Sequence, residues 1–561
     1  MAHVDGSTLR VGVLCDGLVF QRWQADSLRA VLAVPGVACA GLIVNGAADT
    51  APRRSWRTAL YRRYRSRHFK VAAMDTVDLT AELGALPRIT CTVEQRGHSQ
   101  HFTSADLQRL RDLGCDVLLR FGFNILRGEV LRIPRYGIWS FHHGDEQHYR
   151  GGPPGFWEIM RGDPVTGAVL QRLTERLDGG IVLRKGWFPT VDHSLADTVN
   201  TVLSHTAHWP AQVCRELLDG RTRTVDGEGS ATQARVYRYP GNIDFLRFLW
   251  KQASNKARFH RNEMRRHEEW NVGVLYQPIA ALLGDRPSLN VRWVPAPNKG
   301  AYRADPFGYL GSDGQLNMLY EKFEYATGIG SIARIRPKRD NILKRSRTML
   351  SNGSHLSYPY VVEHDGVVYV VPENAASGRV DLYKVNEANE ALEPVGTLLN
   401  EPLYDPTLFA HEGRWWLAGT KAPLTNVALY LYHGPSLLGP FTPHALNPVK
   451  FDVRSARPAG TPFVHDGALY RPGQDSSRTY GGRIAMNRIV ELTPTAFQET
   501  TVKFVGPIKG AYGQGLHTLC ALGDITLVDG KRWTFSKEQE RRVRRRKWEA
   551  LRGTDTGSED A

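Results

Sequence analysis

Cysteine is scarce and scattered, with six residues at 15, 39, 91, 115, 214 and 520 and no CxxC pair. That spacing argues against a zinc ribbon or a disulfide framework and favours a reducing compartment. Long apolar runs are also missing. The uncharged stretch Ala30–Ala48 is interrupted by Pro35, Gly36, Gly41 and Asn45, so it reads as a helix end, a turn and a buried strand rather than a bilayer span. No basic segment followed by an apolar core opens the chain, so no signal peptide is expected and a soluble cytoplasmic protein is. The first candidate strand–helix turn, CDGLVFQ, lacks GxGxxG, which disfavours a dinucleotide site there. Acid is in deficit, 57 Asp+Glu against 72 Lys+Arg, for a net charge of +15. Charged residues at 23% and hydrophobic ones at 42% exclude a disordered or fibrous chain.

Glycine (54) and tryptophan (13) are plentiful, the material of turn-rich β architecture. A chain of 561 residues predicts roughly three to five domains, or fewer large ones. Residues 9–46 read as strand (LRVGVLC), helix (QRWQADSLRAVLAV) and strand (ACAGLIVN). A further buried strand follows at Cys115–Phe121 and an extended piece at Gly137–His142. That alternation predicts a parallel, doubly wound α/β sheet. Near residues 225–240 the texture turns to Gly, Ser and polar residues, a linker signature. The segment Asn242–Trp270 then reads as a basic amphipathic helix, a strut between two halves in preference to a membrane-surface helix.

The second half repeats itself. Segments beginning at Ala304, Tyr358, Tyr404, Ala456 and, more weakly, Leu516 share a strand, a turn with Gly beside Asp, Glu or His, and a second strand. Five units of about 50 residues predict an all-β five-bladed propeller, with Trp270–Leu275 able to close it beside the last blade. The expected division is 1–224 for the α/β domain, 225–269 for linker and helix, 270–530 for the propeller and 531–561 for a charged tail.

Chemistry concentrates between Gly137 and Leu183. The ordered set His142, Tyr149-Arg150-Gly151, Pro154, Trp157, Gly162, Thr166-Gly167 and Leu177-Asp178 resembles the catalytic domain of the folate-dependent formyltransferases. That family acts on methionyl-tRNA, glycinamide ribonucleotide and sugar-nucleotide amines, and the resemblance covers roughly residues 9–220. It implies 10-formyltetrahydrofolate as donor, His142 as base or polarising group, and Asp178 as its orienting carboxylate. These roles suit formyl transfer, which needs a proton acceptor and a stabilised oxyanion. Ser140 stands where the family has Asn, and adjacent His143 is a candidate to compensate. The folate is expected along Leu118, Arg120 and Gly122 and against Tyr149 and Gly151. No His/Asp/Glu spacing implies a metal.

In the repeats, Asp305, Asp405, Arg457 and His517 at strand starts, together with Tyr358 or His355, are expected to converge on one axis with Glu373, Asp475 and Glu321 at strand ends. Paired carboxylates there are what glycosidic-bond chemistry uses. Asp-Pro at a strand start and His-Asp-Gly turns are equally explained as turn chemistry. The ADPF and YDPT sequences resemble family-43 and family-32 glycoside hydrolase propellers. The ordered motifs over about residues 270–530 look more like the N-terminal propeller of plant glucosamine inositolphosphorylceramide transferases. The leading expectation is a formyltransferase acting on the amine of an amino sugar or glycan-linked substrate, with a carbohydrate-recognising propeller. The rivals are a glycoside hydrolase or transglycosidase with a degenerate formyltransferase-like domain, and a non-enzymatic carbohydrate-binding protein. Basic patches at 53–70, 251–266, 334–347 and 541–547 read as local features, and nucleic acid is a minority partner.

Overall fold

A computed structural model describes residues 8–46, 55–97, 99–176, 179–222, 225–262, 265–285, 287, 289–297, 300–337, 346–535, 537, 541 and 545. The chain separates into two compact units, Met1–Lys256 and Ala257–Ala561. No helix among the described residues is long and apolar enough to cross a membrane.

Unit 1 holds a seven-stranded sheet. Five strands are parallel, in the order Ile138–His142, Val117–Arg120, Leu9–Cys15, Val37–Asn45 and Arg88–Cys91. The near-continuous apolar runs of these strands fit a sheet buried on both faces. The helix Ser104–Leu113 contributes Leu107 and Leu110 to a core with Leu14, Ile43 and Leu118. A second core joins Trp23 with Phe156, Val199, Phe245 and Phe248. The sheet is not purely parallel as expected, because Val165–Arg172 and Ile181–Pro189 continue it antiparallel beyond His142. A short connection suffices for antiparallel neighbours, whereas a parallel neighbour needs a crossover.

The stretch with linker composition is structured where it meets unit 1. Gly229 bridges to Ile181, and Val236–Tyr237 pairs with Arg150–Gly151. The helix Asn242–Asn262 follows, burying Phe245 and Phe248.

Among the described residues, unit 2 consists of five antiparallel sheets in chain order, four of them four-stranded. The first joins both ends of the unit, with Arg266–Leu275 paired along its length with Ile525–Phe535, flanked by Val291–Trp293 and Leu519–Leu522. Residues 531–535, placed in a tail by their charge, are therefore strand, and Lys531 is fully buried beside Glu268. The other four sheets begin with Ala301–Leu310, Ser357–His364, Tyr404–His411 and Phe463–His465. One apolar core links the first four sheets through Val272, Phe307, Tyr358 and Leu408. A second links the fourth and fifth through Trp416 and Leu469, and a third the fifth and first through Ile484 and Leu519. The hairpin turns Asp365-Gly366, Glu412-Gly413 and Asp466-Gly467 all have positive φ at both central residues, the two-residue turn that matches strand twist.

The first strands of the second, third and fourth sheets share a device. Each carries a register shift at an X-Pro pair, Asp305-Pro306, Tyr358-Pro359 and Asp405-Pro406, with the residue before Pro at φ 52°, 40° and 49°. A bulge takes that residue out of the ladder, so its buried N–H needs another acceptor.

Candidate functional site

In unit 1 the strand Ile138–His142 alternates its side chains, which sends Ser140 and His142 one way and Phe141 the other. His142 Nε2 donates to the Tyr149 carbonyl at 2.8 Å, so in the neutral ring the lone pair lies on Nδ1. Ser140 is buried, and its Oγ accepts from Arg120 Nε at 3.0 Å and Nη2 at 2.7 Å. Nη1 of the same guanidinium donates to the carbonyls of Phe123 and Asn124, both at 3.1 Å. A serine where a longer carboxamide was expected thus stands against an arginine. Asp178 and Leu177 lie outside the described residues.

His143 does not compensate for the serine. Its ring stacks on Phe141 at 5.6 Å, meets Trp23 edge-on at 5.1 Å, and pairs with Thr206 Oγ1 at 3.4 Å. Burial and the neighbouring His142 push its pKa down to about 3, so it is a neutral packing group. Leu118 packs its side chain into the core and offers a ligand only backbone. Gly122 runs against Asp16, whose Oδ1 would lie 2.7 Å from an added Cβ.

The loop between His142 and Trp157 is held by groups outside the motif residues. Asp145 accepts from Lys185 Nζ at 2.7 Å, Trp187 Nε1 at 3.1 Å and the Gln147 amide at 3.0 Å. Burial opposes its ionisation, but the Lys185 ammonium wins and holds the carboxyl below the usual range. Nearby Glu158 has no such cation among the described residues, and burial raises its pKa to about 7. Tyr149 bonds Asp163 through its hydroxyl and lies 5.4 Å from the Tyr237 ring. Gly151 sits at φ 82° with the Tyr237 carbonyl 2.1 Å from where a Cβ would be, so it packs on the 236–237 segment.

In unit 2 the expected convergence is present for most residues, and each bulge amide finds a carboxylate. The Asp305 amide faces Asp529 Oδ2 at 3.3 Å, the Tyr358 amide donates to Asp305 Oδ2 at 3.2 Å, and the Asp405 amide to Glu373 Oε2 at 2.9 Å. Asp305 Oδ1 also accepts from Thr518 Oγ1 at 2.7 Å and faces His517 Nε2 at 3.5 Å. Asp405 receives both arms of Arg457, at 2.6 and 3.1 Å, and Gln474 Nε2 at 2.6 Å. Tyr358 bonds Thr407 Oγ1 at 3.0 Å and accepts at 2.7 Å from the amide of Gly460, which itself bridges to Leu519 of the first sheet. Asp475 is occupied within its own sheet by Arg483 and the Ser477 amide. His355 accepts from the Gly330 amide at 3.0 Å.

The electrostatics split these groups. Burial, then the Asp405 charge, keeps Glu373 well above the ordinary carboxyl range. Burial and the surrounding carboxylates do the same for Glu321. Burial and neighbouring carboxylates raise Asp305 to about 6 against the pull of His517. Burial disfavours a charged His517, but Asp529 and Asp305 outweigh it and raise the imidazole to about 9. That imidazole stacks on Trp270 at 4.0 Å.

Asp305, His517 and Asp529 bring three donor atoms within 4.8 Å, a grouping no local spacing announced. His517 lies between the two carboxylates, its Nε2 3.5 Å from Asp305 Oδ1 and its Nδ1 paired with Asp529. Asp529 and Lys531 were not singled out from the sequence. Asp529 sits in a VDGK stretch that reads as a turn, and its partner Asp305 lies 224 residues away.

Residues 292–513 match the family model described as "Glucosamine inositolphosphorylceramide transferase 1, N-terminal". The curated protein of that name from Arabidopsis thaliana is 32% identical over 210 residues, 36% of this chain and 27% of its own length. The methionyl-tRNA formyltransferase of Deinococcus radiodurans is 33% identical over 129 residues, 22% of this chain and 40% of that protein. The chain thus spans well under half of these curated relatives. Among solved structures, a family 117 glycoside hydrolase from Zobellia galactanivorans aligns over 48% of this chain and 91% of its own, at 14% identity and a TM-score of 0.31.

Proposed function

We propose that unit 1 transfers a formyl group from 10-formyltetrahydrofolate to the amine of an amino sugar or sugar-linked substrate. Unit 2, taken as a five-bladed propeller, recognises the carbohydrate. The observation that carries this reading is the placement of His142 and Ser140 on one side of the strand Ile138–His142, with the Arg120 guanidinium on the serine. The local likeness to methionyl-tRNA formyltransferases supports it. The acceptor class follows from the other relatives, whose name specifies a glucosamine, which carries an amine.

The amine nitrogen attacks the formyl carbon, its proton passes to His142, and the bond from carbon to the folate nitrogen breaks as that nitrogen takes a proton. Asp178, the carboxylate that the family resemblance pairs with this histidine, stabilises the imidazolium that forms. The guanidinium supplies positive charge near the developing oxyanion, where a neutral carboxamide is expected in the family. The donor lies near Arg120, Gly122, Tyr149 and Gly151. Incubation with 10-formyltetrahydrofolate and a panel of hexosamines and their nucleotides tests the proposal by mass spectrometry of the sugar. Formylated sugar is expected, and absence of both product and folate binding sinks it.

One observation favours glycoside hydrolysis in unit 2 as a second reading. The Glu373 carboxyl, held above its ordinary range by burial and then by the Asp405 charge, stands beside Asp405, whose amide it binds. Against it, Asp405 is already bound by Arg457 and Gln474. Release of reducing sugar that Glu373→Gln abolishes would establish it.

A further inference from the structure

The helix Asn242–Asn262 is apolar on two sides. Phe245 and Phe248 face the core of unit 1, while Ile243, Leu246 and Trp250, spaced i, i+3, i+7, stand on the other side at 68%, 55% and 76% exposure. A helix buried on one side ordinarily presents polar residues on the other. The patch continues onto the start of the helix Ala59–Arg67. Asn242 Oδ1 accepts from the Leu60 amide at 3.1 Å and its Nδ2 donates to the Trp56 carbonyl at 3.0 Å. This ties exposed Trp56 and Leu60 to the start of the longer helix.

The charge beside this patch is mostly positive. Arg57, Arg62, Arg63, Arg65, Arg67 and Lys70 are exposed, residues 55–70 contain no acid, and among the described residues no carboxylate pairs with these side chains. A cavity of about 470 Å³ alongside is lined by Arg161, Arg235, Arg238 and Tyr237, with Asp244 as its acid. The Arg161 and Arg235 guanidiniums lie over the Tyr237 ring at 5.3 and 5.6 Å, and Arg65 donates to the Tyr239 hydroxyl at 3.0 Å.

We propose that this face of unit 1 docks on an anionic lipid bilayer. Ile243, Leu246, Trp250, Trp56 and Leu60 enter the interfacial layer, and the arginines hold phosphate-bearing headgroups. Aliphatic side chains flanked by Trp, Tyr and Arg are the composition of an interfacial surface. A nucleic acid has use for the arginines but not for the aliphatic stripe. A neutral protein groove has use for the stripe but not for this charge. The inference does not depend on the reaction proposed above.

The test is flotation of the full chain with vesicles of phosphatidylcholine alone or mixed with phosphatidylserine. Binding to the anionic vesicles only is expected, weakening about tenfold or more at high salt because surface attraction is screened. Ile243→Ser with Trp250→Ser should lose at least about tenfold of vesicle binding. Circular dichroism and the thermal midpoint should stay unchanged, since both residues are exposed. Arg62→Glu with Arg65→Glu should lose the preference for anionic lipid. Failure of the wild-type chain to float with anionic vesicles overturns the proposal. So does equal binding by the Ser double variant, or a concentration-dependent dimer abolished by Trp250→Ser without vesicle binding.

Discussion

The two units hold their polar residues in different ways. In unit 1, His142 is partly exposed, anchored through one ring nitrogen to a loop carbonyl, with Asp145 and Lys185 fixing the loop around it. In unit 2, Asp305, Glu373, Asp405 and Asp529 are buried and each accepts a backbone amide or a cation. Three of them, Asp529, Asp305 and Glu373, answer the amides released by the Asp-Pro and Tyr-Pro bulges. Convergence of carboxylates therefore does not mark chemistry by itself. What they are bonded to decides whether they hold the fold or stand ready for substrate.

The largest effect that tests the contrast is catalytic. His142→Ala should lower formyl transfer by about 10²–10⁴ with little change in thermal midpoint, as expected for a proton-transfer group. Glu373→Gln should leave the same assay unchanged. Next in size is Arg457→Met, which strands the Asp405 carboxylate in a buried site and should cost about 3–5 kcal/mol in urea unfolding of unit 2. Adding Asp405→Asn should recover part of that, and a cost below about 1 kcal/mol would mean the pair behaves like a surface salt bridge. Gly151→Val, forced to φ 82° against the Tyr237 carbonyl, should cost roughly 1–3 kcal/mol. Hydrogen exchange should then quicken at residues 236–238 before it changes in the parallel strands.

The smallest effect near neutrality is the opposite pH response of two histidines. His143 has its folded pKa near 3 against an ordinary 6.5, so the unfolded chain takes the proton first and this stability is lost as pH falls from 6.5 toward 3. His517 has its folded pKa raised to about 9, so its contribution is full below 6.5 and lost as pH rises toward 9. Denaturant midpoints of His143→Phe and His517→Gln against wild type, across pH, should show the acid limb flattened in the first and the alkaline limb in the second.

Much of this was legible in the chain. Strand–helix alternation located four of the five parallel strands and missed Arg88–Cys91, repeat spacing located the sheets of unit 2, and WNVGVL was placed beside the last blade, where Arg266–Leu275 pairs with Ile525–Phe535. Alternation also puts His143 with Phe141 rather than with Ser140 and His142, against the expectation that it compensates for the serine. Other features were not. The 229–237 segment has linker composition because it holds unit 1 mainly through backbone pairing, which leaves little mark on side chains. Lys531 looked like the start of a basic tail because its partner, Glu268, is 263 residues away. The bulge amides that occupy the carboxylates leave no trace in sequence beyond the X-Pro pairs themselves.

The central claim is that unit 1 carries the group transfer while the buried carboxylates of unit 2 hold its sheets together. The most direct measurement incubates wild type, His142→Ala and Glu373→Gln with 10-formyltetrahydrofolate and hexosamine acceptors and follows both formylated sugar and released reducing sugar. The account predicts formylated product from wild type and Glu373→Gln, almost none from His142→Ala, and no sugar release from any of them. Sugar release abolished by Glu373→Gln, with no formylation by wild type, would contradict it.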